Sequence, residues 1–434
     1  MSTKSKQDRA TETAIKNFYG GGNPIEKHGL PKLYCPSLWK SAHVDVDGYI
    51  TPCCIFIQPD LKEKRVEDVD RIETVMLEDF QKYRDDLESG KWPSGCNQCK
   101  FAEEEGRSSK RIQDLHMLAY QEYNPETGRR EDVQKFKTEP LNVALEYLQL
   151  KTGRLCNLEC TICTPACSTS IATAQLKSGV IDRATYNKYN DEIQWSYDIE
   201  SFKKMDSDYF RIDISGGEPL MNKVHMKWLD HLSKVEDVSK TELIYNTNGT
   251  QRPSEEEIQI WERFKGVKVC FSIDSHGKKF EFLRVNAIWE EVLANMKWVE
   301  EYVVQERLDP MDGKSNTSIG MTVHKGNIFD TFDLWDIIHK NIRYGNPEPL
   351  NFNYLYYPDT MAIHSMSPHR LEQAVKHFDD NLYRLPKDRR IYLDHVNLRN
   401  TMARCLEERN ETIDESYKMP QDHRTGDEII TDDI

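Results

Sequence analysis

The 434 residues carry 58 basic and 73 acidic side chains for a formal net charge of −15, and 38% of them are hydrophobic. That balance supports a sizeable core and opposes non-specific attraction to nucleic acid or an anionic membrane. No apolar run nears the ~18 residues of a bilayer span, and the polar opening MSTKSKQDRATETAIKNF has no apolar signal core, so a cytoplasmic protein of two folded units is expected, without a membrane or nucleic-acid partner.

In chain order, residues 1–30 read as a flexible arm with a hinge at Gly20, Gly21 and Gly22. Residues 31–123 form a small cysteine-bearing module. Its centre is the hairpin HVDVDGYITP, turning at Asp47-Gly48, followed by a charged helical stretch from Val66 to Ser89. Residues 124–144 are polar and broken by prolines, as a linker would be. From 145 to 358, six short apolar runs alternate with helical stretches: Leu145–Leu150, Phe210–Ser215, Leu243–Thr247, Val267–Ile273, Ile319–Val323 and Phe352–Tyr356. Strands alternating with helices imply parallel βα units, and six of them suggest an α/β fold of the incomplete, partial (β/α)6 TIM-type barrel kind. A helical extension over 359–406 and an acidic tail over 407–434 complete the chain.

Eleven cysteines in a reducing compartment point to metal or redox chemistry rather than disulfides. Directly after the first predicted strand stands Gly153-Arg154-Leu155-Cys156-Asn157-Leu158-Glu159-Cys160-Thr161-Ile162-Cys163, a C-x3-C-x2-C triplet in a βα loop. Strand C-termini form the active face of a βα barrel, so thiolates there can converge on one centre. Three thiolates hold three irons of a cubane and leave the fourth open for a chelating ligand; a fourth cysteine would close the cluster. The same spacing also suits one apolar helix face.

These residues resemble the radical S-adenosylmethionine (SAM) superfamily, whose signature is this loop after the first strand of a partial (β/α)6 barrel. Ser215-Gly216-Gly217-Glu218-Pro219, after the second strand, resembles the family's GGEP motif. There Gly216 and Gly217 admit close backbone approach and Glu218 receives the SAM amine. Thr247-Asn248-Gly249 and Ser272-Ile273-Asp274 end the third and fourth strands; the family's fourth-strand polar pair meets the SAM ribose, which implies Ser272 and Asp274. Arg284 resembles an arginine near the SAM carboxylate, and Met321-Thr322-Val323 the segment that packs on adenine. Two departures stand out: Ile162 replaces the usual aromatic before the last ligand, and Cys167 follows Cys163 by four residues, which leaves open a closed, four-cysteine cluster.

In the N-terminal module, Cys35-Pro36-Ser37-Leu38-Trp39, Gly48 with Pro52-Cys53-Cys54, and Cys96-Asn97-Gln98-Cys99 resemble a twitch domain, the shorter relative of the SPASM domain, which carries auxiliary [4Fe–4S] clusters in radical SAM enzymes. Here it precedes the barrel, whereas the family usually places it after. Cys35, Cys53, Cys96 and Cys99 are the implied ligands; Cys53 and Cys54 point to opposite strand faces, so only one can serve. Two thiolate pairs at such spacings also suit tetrahedral zinc.

The resemblance implies SAM and two [4Fe–4S] clusters as cofactors, a 5′-deoxyadenosyl radical that removes a substrate hydrogen, a reductant such as flavodoxin or ferredoxin, and a peptide or small-molecule substrate. No protein residue stands out as a later acid, base or nucleophile. A non-catalytic iron–sulfur or zinc protein, and a radical SAM methyl or methylthio transferase, are the alternatives.

Overall fold

The computed structural model describes residues 24–57, 64–104, 109–118, 121–124, 129–132, 135–191, 195–308, 315–341, 349–355 and 358–416. The hinge glycines of the expected arm and the tail beyond Ser416 lie outside them. The chain divides into two compact units. The first comprises Met1–Arg154, Asn187–Ile244 and Gln259–Lys265; the second comprises Leu155–Tyr186, Tyr245–Ile258 and Gly266–Ile434. Among the described residues no helix is long and apolar enough to cross a membrane.

The principal strands are β1 (Ser41–Val44), β2 (Ile50–Thr51), β3 (Tyr147–Lys151), β4 (Arg211–Ser215), β5 (Glu242–Thr247), β6 (Gly266–Ser272), β7 (Asn316–Val323) and β8 (Leu350–Tyr354). Each of the six apolar runs of the sequence is a strand, displaced by no more than three residues at either end. In the first unit β3 pairs in parallel with β4, Leu148 beside Ile212 and Leu150 beside Ile214. All four of those side chains are buried, and covering such a side chain is worth about 1.5–3 kcal/mol. In the second unit β7 lies between β6 and β8, parallel to both. Among the described residues the terminal strands β2 and β8 each have one neighbour, so the α/β sheet is not closed.

β1 and β2 are the arms of the hairpin read in the sequence. Asp45 accepts from the backbone N–H of Asp47 and of Tyr49 at 2.8 and 3.0 Å, closing the turn. Gly48 takes φ +82°, where a Cβ would also meet the Trp195 ring at 3.0 Å. β1 then does what the hairpin pattern did not reveal: its other edge pairs in parallel with β3, Ser41 opposite Tyr147 through Val44 opposite Leu150. Every residue of β1 is buried, Ser41 and His43 among them, so the strand is covered on both faces although its sequence is not an apolar run. The cysteine module is therefore continuous with the sheet of the first unit.

At the boundary of the expected linker, 124–144, Gln121–Asn124 pairs antiparallel with Arg129–Asp132, which lies inside it. At the other end of the chain a helix spans Arg390–Ser416, passing the residue at which the tail was expected to begin.

Candidate functional site

Four separate pieces of the first unit bring cysteines to one cavity. Cys35 is the N-cap of helix α1 (Pro36–Lys40), with φ −131° and ψ 113°. Cys53 lies in the turn after β2, Cys96 ends the short 3-10 turn Ser94–Cys96, and Cys99 sits in helix α2 (Asn97–Glu104). All four line one cavity, together with Phe56, Trp92, Lys110 and Arg111 among others. Cys54 is not on that lining and is exposed; its N–H reaches Gln149 on β3 at 3.4 Å. The four cysteines are free thiols.

Burial pushes the Cys35 thiol up to about 12, with Asp114 and Cys99 adding and Arg111 opposing. Burial is also the first cause raising Cys53, Cys96 and Cys99. A thiolate group so desolvated needs a cation, and the donor set is soft, as iron–sulfur chemistry requires. Among the described residues no group of three or more His, Cys, Asp or Glu is arranged around a single metal ion. The four thiols share one cavity, a soft donor set that suits an iron–sulfur cluster and tetrahedral zinc alike.

Behind that cavity, helix α3 (Lys110–Leu115) places two buried ion pairs. Arg111 grips Glu103 with Nε at 2.8 Å and Nη2 at 2.5 Å, donates to the Tyr34 carbonyl at 3.0 Å, and shares Glu103 with the Ser109 hydroxyl. Lys110 pairs with Asp114 at 2.5 Å, and the Ser37 hydroxyl donates to the other Asp114 oxygen at 2.6 Å. Sequence reasoning counted Glu103 only as part of the acidic stretch after the C-x2-C pair that resembles the twitch domain, and missed Lys110, Arg111 and Asp114, because a charged stretch ordinarily reads as a solvated face.

In the second unit Cys156, Cys160, Cys163 and Cys167 share one loop. Two hydroxyls hold it by the Cys156 carbonyl, Thr169 at 3.2 Å and Ser170 at 3.0 Å, while Ser168 holds the Leu158 carbonyl at 2.8 Å. Glu159–Cys160 pairs antiparallel with Arg284–Val285. Arg284 donates to the Cys160 sulfur at 3.9 Å and Asn248 to the Cys156 sulfur at 3.7 Å. Asn248 also donates to Asn157 at 3.1 Å. Burial raises the Cys160 thiol, and Arg284 works against it. A thiol hydrogen bond with Cys167 is the largest cause raising Cys163, so Cys167 stands beside the triplet.

The implied SAM residues fall in both units. In the first, Gly217 donates to the Gly153 carbonyl at 2.9 Å. Gly216 takes φ +142°, and a Cβ there would meet the Thr152 nitrogen and the Gly153 oxygen at 2.9 Å, so this crossing excludes any side chain. Glu218 is buried and caps the turn Pro219–Met221, accepting from the Leu220 N–H at 3.1 Å. In the second unit Ser272 ends β6, half-buried. Asp274 is buried, accepting from the Thr322 N–H at 2.8 Å and pairing with Arg284 at 2.7 Å. Asp274 and Arg284 thus engage each other, and Arg284 links that pair to Cys160. Asn327 reinforces it, donating to the carbonyls of Asp274 and Thr322 at 2.8 and 2.9 Å. Asn327 belongs to no motif in the sequence, and only its place after a strand could have drawn attention to it.

No curated protein matches the chain. Among solved structures it is similar to anSMEcpe with bound AdoMet and Cp18Cys peptide, at 13% identity and a TM-score of 0.33, covering 55% of this chain and 60% of that one. It is also similar to Streptococcus suis SuiB bound to S-adenosylmethionine, at 15% identity and a TM-score of 0.32, covering 55% of this chain and 48% of that one. SuiB bound to precursor peptide SuiA matches over 79% of this chain and 68% of that one, at 12% identity and a TM-score of 0.32. The chain therefore spans about three fifths of anSMEcpe, and likenesses this low bear no functional inference. Residues 35–100, which include Cys35, Cys53, Cys96 and Cys99, match the model of the SPASM family, described as an iron–sulfur cluster-binding domain.

Proposed function

We propose that this chain is a radical SAM enzyme, with Cys156, Cys160 and Cys163 holding a [4Fe–4S] cluster and the SPASM-type module holding a second. The observation that carries this reading is the C-x3-C-x2-C loop, with two of its sulfurs already receiving hydrogen bonds, in a chain whose residues 35–100 also match an iron–sulfur cluster-binding domain. Bound at such a cluster, SAM supplies a 5′-deoxyadenosyl radical for hydrogen abstraction.

The protein's own part is to bind, orient and exclude water. Arg284 and Asn248 place positive hydrogen-bond donors on the cysteine sulfurs, which favours thiolate over thiol. Gly216 and Gly217 clear backbone for a ligand, Glu218 offers a carboxylate to an amine, and Ser272 offers a hydroxyl to a ribose. The Asp274–Arg284 pair fixes the arginine for a carboxylate. The substrate class that goes with the resemblance is a peptide, and the electron comes from a small reductant protein of the flavodoxin or ferredoxin kind in the cytoplasm.

The test is direct. Anaerobically reconstituted, reduced protein given SAM should release 5′-deoxyadenosine and, with the right peptide, a mass change in that peptide. Protein carrying a full complement of iron that binds SAM and never cleaves it would overturn the reading in favour of a non-catalytic iron–sulfur protein. Transfer of a methyl or methylthio group to the product would instead place it with the transferases.

A further inference from the structure

We propose that His43 and Gln149 form a subsite for an amide group of the substrate, with the imidazole Nε2 accepting the amide N–H and the carboxamide Nε2 donating to its carbonyl. This rests on reading the substrate as a peptide, and it names the side chains that hold one of its amides.

The sheet of the first unit has one apolar and one polar face. Val44, Leu148, Leu150, Ile212 and Ile214 share the apolar face, all of them buried. The register sets Thr51 opposite His43, His43 opposite Gln149, and Gln149 opposite Asp213. These four polar side chains therefore form one row on the other face, across β2, β1, β3 and β4. Neighbouring strands lie about 4.8 Å apart, so His43 and Gln149 stand side by side in the middle of the row.

The ends of the row are occupied. The Thr51 hydroxyl donates to the Cys53 carbonyl at 3.2 Å, so its oxygen is left to accept the Nδ1–H of His43 at 3.0 Å. Burial lowers the His43 pKa to about 3, so the ring is neutral, its one N–H is on Nδ1, and Nε2 keeps a bare lone pair. Asp213 takes the Tyr147 hydroxyl at 2.6 Å and Arg211 at 2.6 and 3.0 Å. Gln149 Oε1 accepts from the Cys54 N–H at 3.4 Å, which leaves the amino group of the carboxamide for something else. His43 Nε2 and Gln149 Nε2 are both buried without a hydrogen-bond partner among the described residues, on residues that are each 5% exposed.

Buried polar groups are ordinarily paired. Here two of opposite kind are unpaired and adjacent, one acceptor and one donor, and an amide offers the complement of both. The polar face opens one row further on, at the strand ends. Lys151 and Ser215 are opposite each other there and half-buried, and Cys54, whose N–H holds Gln149, is exposed. Parallel βα sheets take their ligands at those ends of the strands.

The experiment uses the full chain, loaded with iron and sulfide, kept oxidised and isotopically labelled at its histidine ring nitrogens for magnetic resonance. The His43 signals are those missing from His43→Gln or, if that variant does not fold, those displaced in Thr51→Val. The probes are N-methylacetamide for a main-chain amide, propionamide for a side-chain carboxamide, and methyl acetate, which has a carbonyl and no N–H. In the free protein Nε2 should be unprotonated and receive no hydrogen bond. The amides should move its signal in the direction of hydrogen bonding, and the ester should not; the tighter of the two amides tells a main-chain source from a side-chain one. Gln149→Met should leave the free signal in place and weaken amide binding about tenfold. A signal that neither amide moves, or that the ester moves equally, overturns the inference. So does a free signal that already carries a hydrogen bond and loses it in Gln149→Met, because the two side chains then serve only each other. An enclosed water would give a hydrogen-bonded signal in both proteins that no probe moves, and that result also overturns it. No SAM enters this measurement, so its failure leaves the radical SAM reading standing, whereas the same loaded protein binding SAM without cleaving it overturns that reading alone.

Discussion

The two cysteine sites solve the same problem by opposite means. The loop at Cys156 gathers its thiols locally, from a stretch of a dozen residues, and needs only hydroxyls and a short ribbon to hold it. The module's cavity gathers one thiol each from the mouth of α1, the turn after β2, the turn at Ser94–Cys96 and α2, and it exists only once those pieces fold. The thiols of both sites are partly exposed, apart from Cys99, which is buried. What sets the assembled cavity apart is its frame of buried charge, the pairs Arg111–Glu103 and Lys110–Asp114.

The largest effect tests that division outright. Replacing Cys156, Cys160 and Cys163 together by alanine should abolish 5′-deoxyadenosine formation, read by chromatography, and leave about four irons per chain of an original eight or so. Cys167→Ala should retain cleavage. Loss of all iron from the triple variant would mean that the module holds no cluster of its own, and loss of cleavage in Cys167→Ala with an altered cluster spectrum would make the loop a closed, four-cysteine site.

Next in size is the frame of the assembled cavity. Arg111 and Glu103 are each 1% exposed, so Glu103→Ala strands a buried guanidinium. Breaking one partner of such a pair costs about 3–5 kcal/mol. Thermal unfolding should shift down, and the iron of the module should fall while that of the Cys156 loop persists. Equal loss at both sites would deny the module its separate stability.

The sequence carried the strands well and the frame poorly, for physical reasons. Leu148 and Leu150 lie in β3, which is buried along nearly its whole length, and Ile212 and Ile214 on the buried face of β4, whose alternation is itself legible as a strand. The C-x3-C-x2-C loop is legible because its contacts are local. β1 is not, since its partner β3 begins over a hundred residues on and nothing in Ser41–Val44 distinguishes a hairpin arm from an inner strand. Glu103 and Arg111 read as surface charge because burial is decided by what packs over them. Asn248 was visible at a strand end, yet its bond to the Cys156 sulfur depends on a loop ninety-two residues earlier.

A smaller effect concerns the residues proposed to meet SAM. Glu218 is buried with one oxygen committed to the Leu220 N–H. Its replacement by alanine should weaken SAM binding about tenfold, on the order of 1.4 kcal/mol, as read by equilibrium binding to loaded protein. Gly216→Ala should weaken it too, through the clash at 2.9 Å with the Thr152 nitrogen and the Gly153 oxygen. Unchanged affinity in both would remove the GGEP segment from the ligand site.

The smallest effect separates the stability of the helical end of the second unit from that of either cluster. His395 is fully buried, with Nδ1 on the Ile391 carbonyl at 2.8 Å and its ring between Phe332, Phe352 and Phe378. Burial lowers its pKa from 6.5 to about 4. The folded protein therefore keeps this imidazole neutral, while the unfolded chain begins to protonate it below pH 6.5. The stability it allows is present above 6.5 and is lost as the pH falls towards 4. Between pH 6.5 and 5.5 the loss from this one group is about 1 kcal/mol. Acid also attacks iron–sulfur clusters, so the useful quantity is the difference between the parent and His395→Phe at each pH. Phenylalanine suits the aromatic surroundings and cannot protonate, so the variant should gain on the parent steadily as the pH drops through that window. A difference that stays flat from pH 7 to 5 would mean that His395 is charged, or becomes charged, without cost in the folded protein. The acid sensitivity of the chain would then rest with its cysteine sites and with other buried imidazoles such as His43 and His324, which burial also lowers.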